Sequence, residues 1–324
     1  DRYAEYEERF DPLKTDRKAR RSRKAKINHT PKKTDREIID EISDPIGLED
    51  GFNPTYCPSR YEQGWLLSSL AGFYDQQLIT DVLSLVRGGK EANVYVCAAH
   101  ESTGVELLAA KVYRPHMLRQ IRNDSLYKQG RDILTGDGRA VKKTDHRIMR
   151  AVNKKTDFGV QVQHTSWLMH EYTTLQQLHQ AKAAVPQPFA ASENAILMSY
   201  CGDEQMAAPA LSAVRLDPEE AEPLFKEAMR NIEIMLQHEM VHGDLSAYNI
   251  LYWEGEITLI DFPQVTSLHA NRSSYQILLR DVTRTCQYFA QQGVRRDPGA
   301  ITEELWNRYW RPIYEDLPPD DDEL

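Results

Sequence analysis

Residues 242–249 read His-Gly-Asp-Leu-Ser-Ala-Tyr-Asn, and residues 260–262 read Ile-Asp-Phe. Between them, residues 250–253 and 257–260 have the apolar and aromatic character of two short strands around Glu254-Gly255-Glu256. Gly255 is midway between Asn249 and Asp261. A symmetric turn therefore predicts these two residues opposite each other at the open end of a hairpin, about 5 Å apart between Cα atoms. An amide oxygen and a carboxylate that close form a hard-oxygen site suited to Mg²⁺. Asp244 lies on the loop entering the hairpin, where a carboxylate can orient a hydroxyl and accept its proton late. The chemistry this spacing serves is phosphoryl transfer. His242 by itself reads as a structural hydrogen-bonding residue rather than an acid or base.

Two further segments bear on that chemistry. Lys111 interrupts an apolar run, Ala109-Ala110-Lys111-Val112-Tyr113. Lysine is rarely buried without a partner. Either the strand is an edge and Lys111 points to solvent, or Lys111 reaches the α/β-phosphates of a nucleotide while paired with a helix carboxylate. Glu171 is the candidate partner. Residues 88–95 read Gly-Gly-Lys-Glu-Ala-Asn-Val-Tyr between two strands. Glycines permit close backbone approach, and exposed N–H groups can cradle a phosphate. The same dipeptide also serves as a plain hairpin turn, and the stretch is neither a Walker A sequence nor Gly-x-Gly-x-x-Gly.

The elements that position these residues follow from periodicity. A short helix is expected over residues 65–74. Strands are expected over 78–86, 93–99 and 106–113, with a turn at 101–104. Residues 114–165 are polar and glycine-dotted, a long insertion with helical character around 117–127. Leu168, Tyr172, Leu175 and Leu178 recur at helical spacing, which predicts a helix capped by Ser166 and ended before Pro186 and Pro188. A buried strand follows at 195–200. Asp217 and Glu220 have the spacing of a capping box for a helix that starts at Pro218 or Pro223 and runs to about residue 239. Helices over 276–291 and 302–314 close the chain. Strands first and helices later predict an α+β fold with a sheet lobe and a helical lobe. The expected division is a flexible basic extension (1–60), an N-terminal lobe (61–198) carrying the insertion 114–165, a C-terminal lobe (199–317) and an acidic tail (318–324).

Composition narrows the class. The 324 residues are 41% hydrophobic, enough for a sizeable core, and the net charge of −9 argues against a general nucleic-acid coat. No apolar run approaches the ~18 residues of a membrane span. Cys57, Cys97, Cys201 and Cys286 form no Cys-x-x-Cys pair, so the expectation is reduced thiols in a cytoplasmic protein and no zinc site. The stretch from Lys14 to Lys33 holds ten Lys/Arg and one Asp. It reads as a solvated leader, and such an arm can also contact RNA phosphates.

At these residues the sequence resembles the RIO atypical kinases, closest to their type-one branch, over roughly residues 61–316. The resemblance rests on residues 89–95, on Lys111-Val112-Tyr113 and on the helix around Glu171. It rests also on Met198-Ser199-Tyr200-Cys201-Gly202, residues 206–211, residues 242–252 and Ile260-Asp261-Phe262-Pro263-Gln264. It implies a two-lobed protein-kinase-like fold and an ATP- and Mg²⁺-dependent (or Mn²⁺-dependent) serine/threonine kinase or ATPase that autophosphorylates and acts in small ribosomal subunit maturation. Gly88, Gly89, Lys90, Glu91, Ala92 and Val94 would form the phosphate loop, and Lys111 with Glu171 the phosphate-binding ion pair. Met198 would line the adenine pocket, with Ser199 and Cys201 offering backbone hydrogen bonds. Asp244 would be the base, and Asn249 and Asp261 would hold the metal. Asp261 would also accept the phosphoryl group as an aspartyl-phosphate. Ser125, Thr135, Thr144 and Thr156 are the autophosphorylation candidates in the insertion. The family's phosphate loop carries hydroxyl residues where Arg87 and Gly88 stand here, so Arg87 would supply a charged contact instead.

Two other readings fit part of this pattern. Aminoglycoside- and choline-phosphotransferases share a similar His-Gly-Asp…Asn and Ile-Asp order. An RNA-binding assembly factor that uses ATP hydrolysis as a release switch would use the basic leader.

Overall fold

A computed structural model describes residues 52–89, 91–114, 132–136, 138–142, 144–154 and 156–311. Lys90, the leader from Lys14 to Lys33, Ser125, the expected helix around 117–127 and the tail 318–324 lie outside the described residues.

Helix α1 (Arg60–Asp75) is followed by β1 (Ile79–Gly88), β2 (Ala92–Ala99) and β3 (Leu107–Tyr113). Helices α2 (His146–Asn153) and α3 (Asp157–Gln180) precede β4 (Pro188–Ala191) and β5 (Ala195–Ser199). These strands form one antiparallel sheet in the order β1-β2-β3-β5-β4. Strand β3 is therefore central, and the edge-strand alternative for Lys111 falls. Side chains alternate across a sheet. Leu108, Ala110 and Val112 join the core beneath α1, with Leu66, Leu70 and Phe73. Ala109 and Tyr113 point to the other face and pack in the core that includes Trp167, Leu168 and Leu175 of α3. Lys111 shares that second face by period. Apolar burial on both faces explains why β3 reads as a continuous hydrophobic run rather than an alternating one.

The helical part consists of α4 (Pro218–Gln237), α5 (Ser274–Gln291) and α6 (Pro298–Tyr309). Between α4 and α5 lie two small ribbons, β6 (Met240–Val241) with β9 (Thr266–Ser267), and β7 (Ile250–Trp253) with β8 (Glu256–Leu259). The expected Asp217–Glu220 capping box is present, and α4 starts at Pro218 with Pro223 inside it.

Several expected boundaries move. The helix bearing Glu171 begins not at Ser166 but at Asp157, where the side chain of Thr156 accepts a hydrogen bond from the Gly159 amide. Ser166 lies within the helix and its Oγ accepts from the Leu134 amide, 2.9 Å away. Helix α2 and the start of α3 lie within the stretch 114–165 that was expected as a long polar insertion, C-terminal to the part given helical character. Strand β4, interrupted by polar neighbours and short, was not expected. The final helix runs over Pro298–Tyr309 rather than 302–314.

The hairpin register also differs by one residue from the symmetric expectation. Glu254 (φ 49°) and Gly255 (φ 85°) are both left-handed, as a two-residue type I′ turn requires. Trp253 therefore faces Glu256, and Ile250 faces Leu259. Asn249 is opposite Ile260, whose amide donates to the Asn249 carbonyl at 3.0 Å, and Asp261 lies one step beyond the pair.

Candidate active site

Lys111 is the hub of the cleft between the sheet and the helical part. Its Nζ lies 2.6 Å from Glu171 Oε1 on α3 and 2.6 Å from Asp261 Oδ1 after β8. Burial opposes the charge of Lys111, but the two carboxylates outweigh it and hold the ammonium well above its ordinary pKa. Glu171 is buried, and its remaining capacity is filled by the Tyr113 hydroxyl at Oε2 and the Phe262 amide at Oε1. Asp261 keeps 43% of its side-chain surface open and has only Oδ1 committed to Lys111. Burial of its acid group is the largest single influence and pushes its pKa up, yet the charge and hydrogen bond of Lys111 lead the opposing effects, and the net result lies below the usual carboxylate value. Arg87 is among the residues that line the same cleft. The backbone of Asp261 is left-handed at φ 71°, a conformation aspartate tolerates better than most residues.

The loop before β7 holds the second group of residues. Gly243 has φ 86°, and a Cβ there would lie 2.3 Å from the Gln264 carbonyl oxygen, so no other residue fits between His242 and Asp244 without movement. The Gly243 amide donates to the buried Asp281 carboxylate of α5 at 2.8 Å. His242 Nδ1 accepts from the Asp244 amide at 3.3 Å, and its Nε2 is 3.2 Å from the Ile260 carbonyl. The two contacts require the neutral Nε2–H tautomer, because a carbonyl can only accept. Burial lowers the His242 pKa in the same direction. His242 thus ties the Asp244 loop to the strand leading into Asp261. It is structural, as expected.

Asp244 is gripped at both oxygens. Arg284 Nη1 on α5 donates to Oδ1 at 2.9 Å, and Asn249 Nδ2 lies 3.3 Å from Oδ2 while donating to the Asp244 carbonyl at 2.9 Å. Sequence reasoning found Asp244 and Asn249 but missed Arg280, Asp281 and Arg284, which lie some 40 residues downstream on a helix with no motif of its own. Because the Asn249 amide nitrogen is committed to Asp244, its Oδ1 is the atom left to face a cation. With the second oxygen of Asp261, this offers two hard-oxygen donors of the kind Mg²⁺ takes. Among the described residues no group of three or more His, Cys, Asp or Glu is clustered for a metal.

These residues line one cleft of about 600 Å³. Gly89, Glu91, Ala92 and Val94 line it together with Lys111, Glu171, Met198, Ser199 and Cys201, and with Asp244, Asn249 and Asp261. Gly88 does not line it and instead ends β1 paired with Asn93. The Ser199 amide is already used, donating to the Gln187 carbonyl at 2.8 Å, and Ser199 Oγ accepts from the Gln187 amide. Only its carbonyl is left for the contact the resemblance implied. The walls also include Ala109, Ala208, Ala210 and Leu251. These small and apolar residues leave room for a flat group, and single-residue signals would not have found them.

All four cysteines are free, as expected. Among the described residues no helix is long and apolar enough to cross a membrane.

Comparison with known proteins bears on family and fold. Residues 93–301 match the family described as the RIO domain. The chain is 31% identical over 216 residues to the RIO-type serine/threonine-protein kinase Rio1 of Haloferax volcanii, a match covering 66% of this chain and 65% of that protein. It is 27% identical over 219 residues to the serine/threonine-protein kinase RIO1 of Homo sapiens, covering 67% of this chain and 34% of that one. The chain thus spans less than two thirds of the length of these relatives. Among solved structures, the Rio2 kinase–ADP/Mg²⁺–phosphoaspartate complex from Chaetomium thermophilum aligns with a TM-score of 0.51 and 18% identity, covering 80% of this chain and 72% of that one. That likeness bears on the fold, which is the two-lobed kinase-like arrangement expected. The aminoglycoside- and choline-phosphotransferase alternative gives way to the family match. The chain belongs to the RIO family, on the side of its type-one branch.

Proposed function

We propose that this chain binds MgATP in the cleft and transfers its γ-phosphoryl group, as a RIO-type serine/threonine kinase or ATPase. The observation that carries this reading is the convergence of Lys111, Glu171 and Asp261 on one contact, within the same cleft as Asp244 and Asn249. Lys111 would meet the α/β-phosphates, and Arg87 would add charge at the cleft mouth. Backbone of Gly89, Glu91 and Ala92 would cover the phosphates. The adenine would lie against Met198 and Ala109, with the Ser199 carbonyl and the Cys201 amide as its polar contacts. Asn249 Oδ1 and the second Asp261 oxygen would hold Mg²⁺, and Mn²⁺ suits the same donors. The ion supplies charge neutralisation of the phosphates.

Asp244 would orient the acceptor and take its proton. The related Rio2 structure from Chaetomium thermophilum is a kinase–ADP/Mg²⁺–phosphoaspartate complex. Asp261 is the residue here that would take the phosphoryl group in the same manner, a carboxylate oxygen bonding to the γ-phosphorus as the bond to the bridging oxygen breaks and ADP leaves; Asp244 would then take the proton of the water that hydrolyses the aspartyl-phosphate.

Asp244→Ala tests the reading. It is expected to lower ATP turnover and autophosphorylation by about a thousandfold while the melting temperature stays near that of the parent chain. Turnover at the parent rate would overturn it.

A further inference from the structure

The loop from Asp244 to Asn249 supplies Leu245, Ser246, Ala247 and Tyr248, none of them cationic. The cation beside the candidate base comes instead from a distant helix. Arg284 and Arg280 are one turn apart on α5 and share a face. Arg280 Nη2 donates to the Gly243 carbonyl and lies 3.3 Å from Asp281 Oδ1. Arg284 Nη1 donates to Asp244 Oδ1 at 2.9 Å. One helix face therefore grips two successive residues of the loop.

Stability does not account for the outer grip. The side chains of Arg284 and Asp244 are 42% and 40% exposed, and ion pairs this open contribute little to folding. Position does account for it. Without Arg284, the Asp244 carboxylate is held only by Asn249 at 3.3 Å and can rotate away from the cleft. A base displaced by about 1 Å can lose about a hundredfold in rate.

We propose that Arg284 is the positioning residue of Asp244, a role that rests on the phosphoryl-transfer reading above. It fixes Oδ1 so that the carboxylate faces the incoming hydroxyl or water. As the acceptor oxygen bonds to the γ-phosphorus, the bond from that phosphorus to the bridging oxygen breaks and its electron pair leaves with ADP. The acceptor proton goes to Asp244. Arg284 acts through Asp244 and is not among the residues that line the cleft, whereas Lys111 and Arg87 are.

The test is steady-state kinetics of the full chain with MgATP. Arg284→Gln should lower kcat about ten- to hundredfold and leave KM for MgATP within about threefold. Arg284→Lys, which keeps a cation on a shorter and less directional group, should recover part of kcat. Guanidinium ion added to Arg284→Ala should restore some of the lost rate, a response that a merely structural arginine would not give. A kcat for Arg284→Gln within twofold of the parent, or above it, would overturn the proposal, as would loss confined to KM. Where Arg284→Gln fails to fold by circular dichroism, Arg284→Lys and the guanidinium response decide the matter. Asp244→Ala separates the two levels. Full turnover in that variant removes the phosphoryl-transfer reading itself. Its inactivity beside a fully active Arg284→Gln removes only the role of Arg284.

Discussion

Lys111 and Asp244 line one cleft, yet their surroundings differ. Lys111 is 12% exposed and touches two carboxylates, one of them only 2% exposed. Asp244 and its partner Arg284 are each about two-fifths exposed. The first group is over-determined: Glu171 also receives Tyr113 and Phe262, and removal of Lys111 strands the buried Glu171 in a low-dielectric interior. The second group is a grip that solvent and substrate can reach. Under the proposed function, the Lys111 pair would gain from rigidity, because it would meet the same phosphates in every cycle. Asp244 as the proposed base would need to stay accessible to the acceptor, and its contacts are half-exposed.

That contrast can be broken by experiment, starting where the effect should be greatest. Lys111→Ala leaves buried Glu171 without its cation, and urea denaturation should register a loss of about 3–5 kcal/mol. A loss below about 1 kcal/mol would mean the buried group tolerates vacancies and is no more rigid than the open one.

His242 bridges the two groups and supplies the intermediate test. Its folded pKa is depressed by burial, so the neutral form favours folding above the ordinary histidine value of about 6.5. Below that value the unfolded chain binds the proton first, and stability should decline as pH falls toward the lowered folded value. An imidazole titration followed by NMR should place the His242 midpoint below about 6.5, and a midpoint above it would undo the tautomer assigned from its two hydrogen bonds.

The smallest effect belongs to the open end. Arg284→Gln should change unfolding free energy by no more than about 1 kcal/mol. A loss comparable to that of Lys111→Ala would show the two ends to be equally structural.

Legibility in the sequence follows the same line. The His-Gly-Asp…Asn and Ile-Asp-Phe residues were identifiable because their types and spacing are local, and Lys111 because a lysine in an apolar strand needs an explanation. Four of the five sheet strands were readable from their apolar runs and the turns between them, and the α4 capping box from side-chain chemistry. The start of α3 was not. Ser166 has N-cap chemistry, but in the folded chain it serves the Leu134 amide, a partner 32 positions away. The hairpin register escaped as well. Symmetry about Gly255 suggested a three-residue turn, whereas the positive φ of both Glu254 and Gly255 permits a two-residue one and shifts Asp261 past Asn249.

By itself, the sequence determined which side chains could handle a phosphoryl group, that a central lysine needed an acid, and that strands would precede helices. Those properties come from residue type and short-range spacing, which the chain carries unfolded. Tertiary structure alone decided that Lys111 is central and shared by two acids, that Ser199 has only a carbonyl to offer, and that α5 brings Arg284 to Asp244. Each of these depends on packing between segments tens of residues apart, and no local pattern records which surfaces will meet.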